Sequence, residues 1–195
     1  MKRFALAIAA VSLACSSNAF AHKLIDANEE VSVAKSDLTL TPAIDWNRIS
    51  RRPGNEAERW TLDGELLNDV LFFGELRDGD TLFKEVDRRN SPMPEFSSSM
   101  LLIDIPDFYQ SSLRILKGHA TFEVESVDPV EFLGQGAVRF EFKTLGSDDI
   151  VRRGTAVATI IDGELYMMSY EAPEIFFYER NLVDFEQLVA TATLD

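Results

Sequence analysis

The sequence predicts an α+β domain: an antiparallel sheet with helices packed on it, closing in a strand meander and a final helix. Three observations predict it. From residue 120 onward, apolar and polar residues alternate in successive stretches, the period of half-buried strands. Short turn signals, too short to hold a helix, separate those stretches, so neighbouring strands run antiparallel. Finally, the two segments with helical period, 105–117 and 182–193, stand before and after the strand run, not between its members.

In chain order, Leu38-Thr39-Leu40-Thr41 and 43–49 are short extended pieces separated by Pro42, and residues 50–58, SRRPGNEAE, have the composition of a loop. Residues 59–62 form a short strand closed by Asp63-Gly64. Val70-Leu71-Phe72-Phe73 is a continuous apolar run, as expected of a mostly buried strand, and the Asp78-Gly79 turn ends it. Residues 84–99 hold two prolines, four serines and alternating charges and are expected to form a long surface loop of the kind that often carries function.

The helix over 105–117 places Pro106 in its first turn, where a missing N–H costs nothing, and Gly118 stops it. Ile105, Tyr109, Leu113 and Leu116 share one face. Ala120, Phe122 and Val124 then alternate with Thr121, Glu123 and Glu125, and Val138, Phe140 and Phe142 with Arg139, Glu141 and Lys143. The Gly146-Ser147-Asp148-Asp149 turn leads into a strand over 150–161. Asp162-Gly163 is the strongest hairpin signal, because a type I′ turn needs positive φ at both central residues. In the last helix Asn181 is the expected N-cap, and Phe185, Leu188, Val189 and Ala192 form the apolar stripe.

The N-terminus reads as an export signal. Lys2 and Arg3 precede an uncharged run from Phe4 to Ala14, and Ala19-Phe20-Ala21 has the A-x-A form of a cleavage site. The run is well short of the roughly 20 residues a membrane-spanning helix needs. Cleavage after Ala21 is favoured; the alternative is processing at Cys15 as a lipid-modified residue, since Leu13-Ala14-Cys15-Ser16 is similar to a lipoprotein signal. The division expected is therefore a signal peptide at 1–21, a polar lead-in or tether at 22–37, and one domain at 38–195. The location implied is periplasmic or secreted, with a membrane anchor solely through Cys15. The chain's single cysteine rules out an internal disulfide, so packing alone stabilises the fold.

Segment 1–21 holds two of the 19 basic residues and none of the 33 acidic ones, so the remainder carries 17 Lys+Arg against 33 Asp+Glu, a formal charge of −16. A surface of that sign repels phosphate backbones, which excludes nucleic acid as a partner. Fourteen phenylalanines argue against disorder.

Motifs for serine hydrolases, zinc proteases, phosphate loops and dinucleotide binding are absent, and no cofactor is expected. Asp78 and Asp80 lack the further oxygens of a calcium loop. Three arginine pairs stand out: Arg51-Arg52, Arg88-Arg89 and Arg152-Arg153. If the loops carrying the first two meet, Arg51, Arg52, Arg88 and Arg89 form a local anion site in an acidic chain. His119, just past the helix-ending Gly118, reads first as a solvated residue favoured by the helix dipole. Cleavage after Ala21 would also put His22 at a free N-terminus, where its amine and imidazole, joined by His119, make a three-nitrogen set suited to Cu(II). Trp46, Trp60 and Ile175-Phe176-Phe177-Tyr178 read as core.

Over residues 120–194 the strand order and Gly163-Glu164-Leu165-Tyr166 before a late helix resemble the PsbP/Mog1-like domains. Trp60-Thr61-Leu62-Asp63-Gly64 and Pro92-Met93-Pro94-Glu95-Phe96 are similar to segments of a group of proteobacterial envelope proteins. Neither resemblance transfers a catalytic residue, and the first implies a binding or assembly accessory. The functional expectation is a non-enzymatic envelope protein that binds a partner protein or small ligand through the 50–58 and 84–99 loops. An envelope enzyme with a carboxylate acid/base site is the alternative, and copper binding through His22 and His119 the remote one.

Overall fold

The structure, a computed structural model, describes residues 22–118 and 121–195. Among the described residues there are eleven strands: β1 (Lys23–Ile25), β2 (Val31–Ser32), β3 (Leu38–Leu40), β4 (Trp46–Arg48), β5 (Ala57–Thr61), β6 (Asp69–Leu76), β7 (Thr121–Phe132), β8 (Gln135–Leu145), β9 (Val151–Ile161), β10 (Glu164–Pro173) and β11 (Thr193–Leu194). The two α-helices among the described residues are α1 (Ile105–Lys117), preceded by a 3-10 turn at Leu102–Asp104, and α2 (Phe177–Ala190). Eight strands form one antiparallel sheet in the order β1-β4-β5-β6-β10-β9-β8-β7, and β11-β3-β2 form a small second one. The fold is α+β and dominated by its sheet.

Both faces of the large sheet are covered, which explains why its central strands are apolar at successive positions. Leu71 and Phe73 of β6, Met167 of β10 and Phe140 and Phe142 of β8 face α1; Val70, Phe72, Met168 and Tyr170 face α2 and the small sheet. Tyr109 of α1 is the hub of the first layer, with ring centroids 5.6 Å from Phe142, 5.8 Å from Phe140 and 6.1 Å from Phe122. In the second layer Tyr170 stacks on Tyr178 and Phe185 of α2, each at 5.5 Å. Trp46 and Trp60 are fully buried there.

The β7–β10 meander turns at Leu133-Gly134 (φ 54° and 70°) and at Asp162-Gly163 (φ 51° and 84°). The sequence pointed to the second of these turns and not to the first, whose leucine is a poor turn former. Residues 22–37, expected as a polar lead-in or tether, contribute β1 and β2 and bury Ile25, Val33 and Ala34. Charges scattered among isolated apolar residues masked that role.

Helix α2 starts at Phe177, not at residue 182, and Asn181 is not its N-cap. The aromatic pair Tyr170–Tyr178 draws the helix start toward the end of β10, and Asn181 lies inside the helix, donating from Nδ2 to Asp63 Oδ2 at 3.1 Å. Of the four residues read as core at 175–178, Ile175 and Phe176 are instead 86% and 64% exposed. They form the reversal between β10 and α2, where Phe176 takes φ 72°.

At Gly154 an added Cβ would lie 2.2 Å from Cζ of Phe142, whose ring is stacked on Phe122 at 4.7 Å and has no room to move. Removing a strand glycine is worth at most about 1 kcal/mol, against about 1–3 kcal/mol for forcing extra volume into a packed core. The clash wins. Gly154→Ala is expected to lower the urea midpoint; a midpoint equal to or above wild type would refute the packing of Phe142 over β9.

Candidate functional site

The α1 face of the sheet changes character where β6 begins and β10 ends. Asp69 and Glu171 stand directly opposite each other in the β6–β10 register, and both belong to the face whose apolar residues pack on α1. Helix α1 ends above them at Lys117. Strand period therefore carries the apolar layer outward into a charged layer without a change of face.

Each charge in that layer has a partner. Lys117 Nζ donates to Glu171 Oε2 and Thr144 Oγ1 donates to Glu171 Oε1. Arg59 Nη1 donates to Glu65 at 2.6 Å, and its Nε lies 2.9 Å from Asp69 Oδ1, an ion pair too poorly aligned for a hydrogen bond. Burial raises the Asp69 carboxyl to about 6; Glu171 adds to the rise, while Arg59 and Lys117 oppose it. Burial, with Glu171 nearby, also holds the Tyr109 phenol above its ordinary range, and its hydroxyl lies 3.0 Å from Ser169 Oγ.

Beside this layer the two loops meet. The Lys84 amide donates to the Pro53 carbonyl at 2.8 Å. A cleft of 560 Å³ opens at their junction, lined by the cations Arg51, Arg52, Arg59, Lys84 and Lys117, the carboxylates Glu65 and Glu85, and Val86 among others. Arg52 is anchored by Glu58 at 3.2 Å, a carboxylate only 2% exposed that also accepts from Trp60 Nε1. A second hollow of 360 Å³ shares Arg59, Glu65 and Lys117 and adds Asp69, Asp148, Arg152 and Glu171.

Solved structures with this arrangement of strands and helices include cyanobacterial PsbP from Synechocystis sp. PCC 6803. The match covers 94% of this chain and 99% of that one, with a TM-score of 0.57 and 12% identity. The Ran-binding protein Mog1p of Saccharomyces cerevisiae matches over 87% of this chain and 96% of its own, at TM-score 0.51 and 12% identity. The chain has the PsbP/Mog1-like fold. The likeness extends well beyond residues 120–194, and at such identities it is one of fold alone. No family model matches the chain, and no curated protein matches its sequence.

The residues singled out in the sequence fall in different places. Arg51 and Arg52 line the cleft. Arg88 and Arg89 are exposed in a turn bridged at Asp87 and Ser91, outside the cleft lining. Arg152 and Arg153 point to opposite faces: Arg152 pairs with Asp148 at 2.6 Å, and Arg153 lies 4.6 Å over the Tyr178 ring. His22 is exposed beside β1, while His119, Cys15 and the whole 1–21 segment lie outside the described residues. Among the described residues no cluster of three or more His, Cys, Asp or Glu could hold a metal.

The charged layer of Asp69, Glu171, Lys117 and Thr144 was missed. One signal was available: Glu171 is the lone charge between Glu164 and Glu174, in a stretch otherwise suited to a buried strand.

Proposed function

We propose that the chain is an exported cell-envelope protein that binds a partner protein or small ligand and performs no chemistry of its own, with the cleft between the 50–58 and 84–99 loops as its contact surface. The observation that carries this reading is the cleft itself. In a chain of net charge −14, five cations from four segments line one hollow on a rigid scaffold. The signal-like residues 1–21 support export to the periplasm or beyond. The fold accommodates a binding role, since Mog1p, named as a Ran-binding protein, carries it.

An acid/base enzyme is the second reading, and the Asp69–Glu171 pair is the observation that favours it, with Asp69 at about 6. Its weakness is occupancy. Asp69 is held by Arg59 and Glu171 by Lys117 and Thr144, so neither carboxylate is left free to reach a substrate proton.

A photo-crosslinking residue placed at Lys84, compared with one at the exposed Glu30, which precedes β2 of the small sheet and does not line the cleft, tests the binding reading in intact cells. Products specific to position 84 are expected. Identical products from both positions, or none from position 84 together with no small molecule retained by the purified chain, would refute it.

A further inference from the structure

We infer that this cleft holds a phosphate group, with Arg51 and Lys84 as its principal ion-pair partners. The inference rests on the cleft being the binding surface and names what it binds.

The charges divide into two sets. Arg52, Arg59 and Lys117 each rest on a carboxylate outside the cleft lining: Glu58, Asp69 and Glu171, with side chains 2%, 13% and 8% exposed. Those pairs neutralise Arg52, Arg59 and Lys117 and fix their side chains, so their remaining N–H groups are held in place before a ligand arrives. Arg51 and Lys84 are exposed and form no ion pair among the described residues. Of the two acidic residues in the lining, Glu65 shares Arg59 with Asp69, and Glu85 accepts from the Met93 amide at 3.2 Å and keeps its charge. Two cations without a carboxylate partner remain, one on each loop, and the Lys84 N–Pro53 O bond fixes the loops to each other.

Two such cations suit a phosphate monoester, which carries nearly two negative charges at neutral pH and can give an oxygen to each of them. Geometry favours phosphate over carboxylate as well. The donors come from the 50–58 loop, β5, the start of the 84–99 loop and the end of α1, and the oxygens of a tetrahedral oxyanion are not confined to one plane as those of a carboxylate are. A single carboxylate would also leave one cation unmatched. The phosphate can sit on a soluble molecule or on a lipid headgroup, and the chemistry at the cleft is the same.

Two probes test this with the purified chain at fixed ionic strength: inorganic phosphate by calorimetry, and vesicles of neutral lipid with or without phosphatidic acid by co-sedimentation. Saturable binding is expected in at least one arm. Phosphate alone identifies a soluble ligand, and vesicles alone identify a headgroup. Arg51→Gln/Lys84→Gln should weaken that binding at least about tenfold, a loss of about 1.4 kcal/mol. Arg88→Gln/Arg89→Gln, which removes equal charge outside the cleft, should leave it unchanged. Thermal unfolding of both double variants should match wild type, since every substituted side chain is exposed. No saturable binding in either arm, or equal loss in both double variants, would overturn the proposal. If position 84 still yields specific crosslinks in that case, the phosphate assignment falls and the wider binding reading stands.

Discussion

Phe140→Ala is expected to destabilise the protein by about 3–5 kcal/mol and to lower the melting temperature by about 6–20 °C. Phe140 is fully buried in the middle of β8, and its ring meets both Tyr109 of α1 at 5.8 Å and Phe142 at 6.0 Å. Truncation would leave a cavity under the helix that the sheet cannot close, because β8 is hydrogen-bonded on both sides, to β7 and β9. Phe176→Ala is the internal control. That ring is 64% exposed, so its loss should change stability by no more than about 0.5 kcal/mol. Urea denaturation of the two variants checks the pair. Equal effects would mean that β8 presents its other face to α1.

The contrast between these two phenylalanines marks what the sequence reveals. Phe140 lies in a run of strict alternation, and period two fixes which side chains turn inward. Phe176 stands in an unbroken aromatic run after a proline, where no period is available, and burial there depends on a positive-φ reversal. Helix α1 was fully legible because Pro106 and Gly118 bracket it. Helix α2 was legible in its stripe but not in its start, which a tertiary contact between Tyr178 and Tyr170 sets. The same limit applies to the site. Arg51 and Arg52 stand out locally as a pair in an acidic chain. Asp69 and Glu171 become neighbours through a strand register spanning a hundred positions, and Lys117 joins them because of where α1 docks. No spacing rule reaches that far.

The Asp69 carboxyl should make stability fall as pH rises from about 4 to about 6. Its folded value is about 6 against an ordinary 3.8, so between those limits the native state binds more protons than the unfolded chain. The contribution is full below the unfolded value and is lost as pH passes through the folded one. A shift of this size amounts to about 3 kcal/mol. Burial dominates here for structural reasons. Arg59 is divided between Glu65 and Asp69, its approach to Asp69 is misaligned, and Glu171 sits directly across the strands with like charge. Asp69→Asn isolates the effect. The variant cannot titrate at that position, and carboxylates remote from it titrate alike in both proteins, so their contributions cancel in the difference in unfolding free energy. A constant offset from the altered Arg59 pair is also expected, and it does not depend on pH in this range. Measured by urea titration across the window, the variant should gain on wild type by about 2 kcal/mol as pH rises, the rest of the ~3 kcal/mol falling outside those limits. A flat difference would show that Arg59 fully compensates the burial. A difference of opposite slope would show that the ion pair holds Asp69 below its ordinary value, and the charged layer would then be a stabilising ion-pair network.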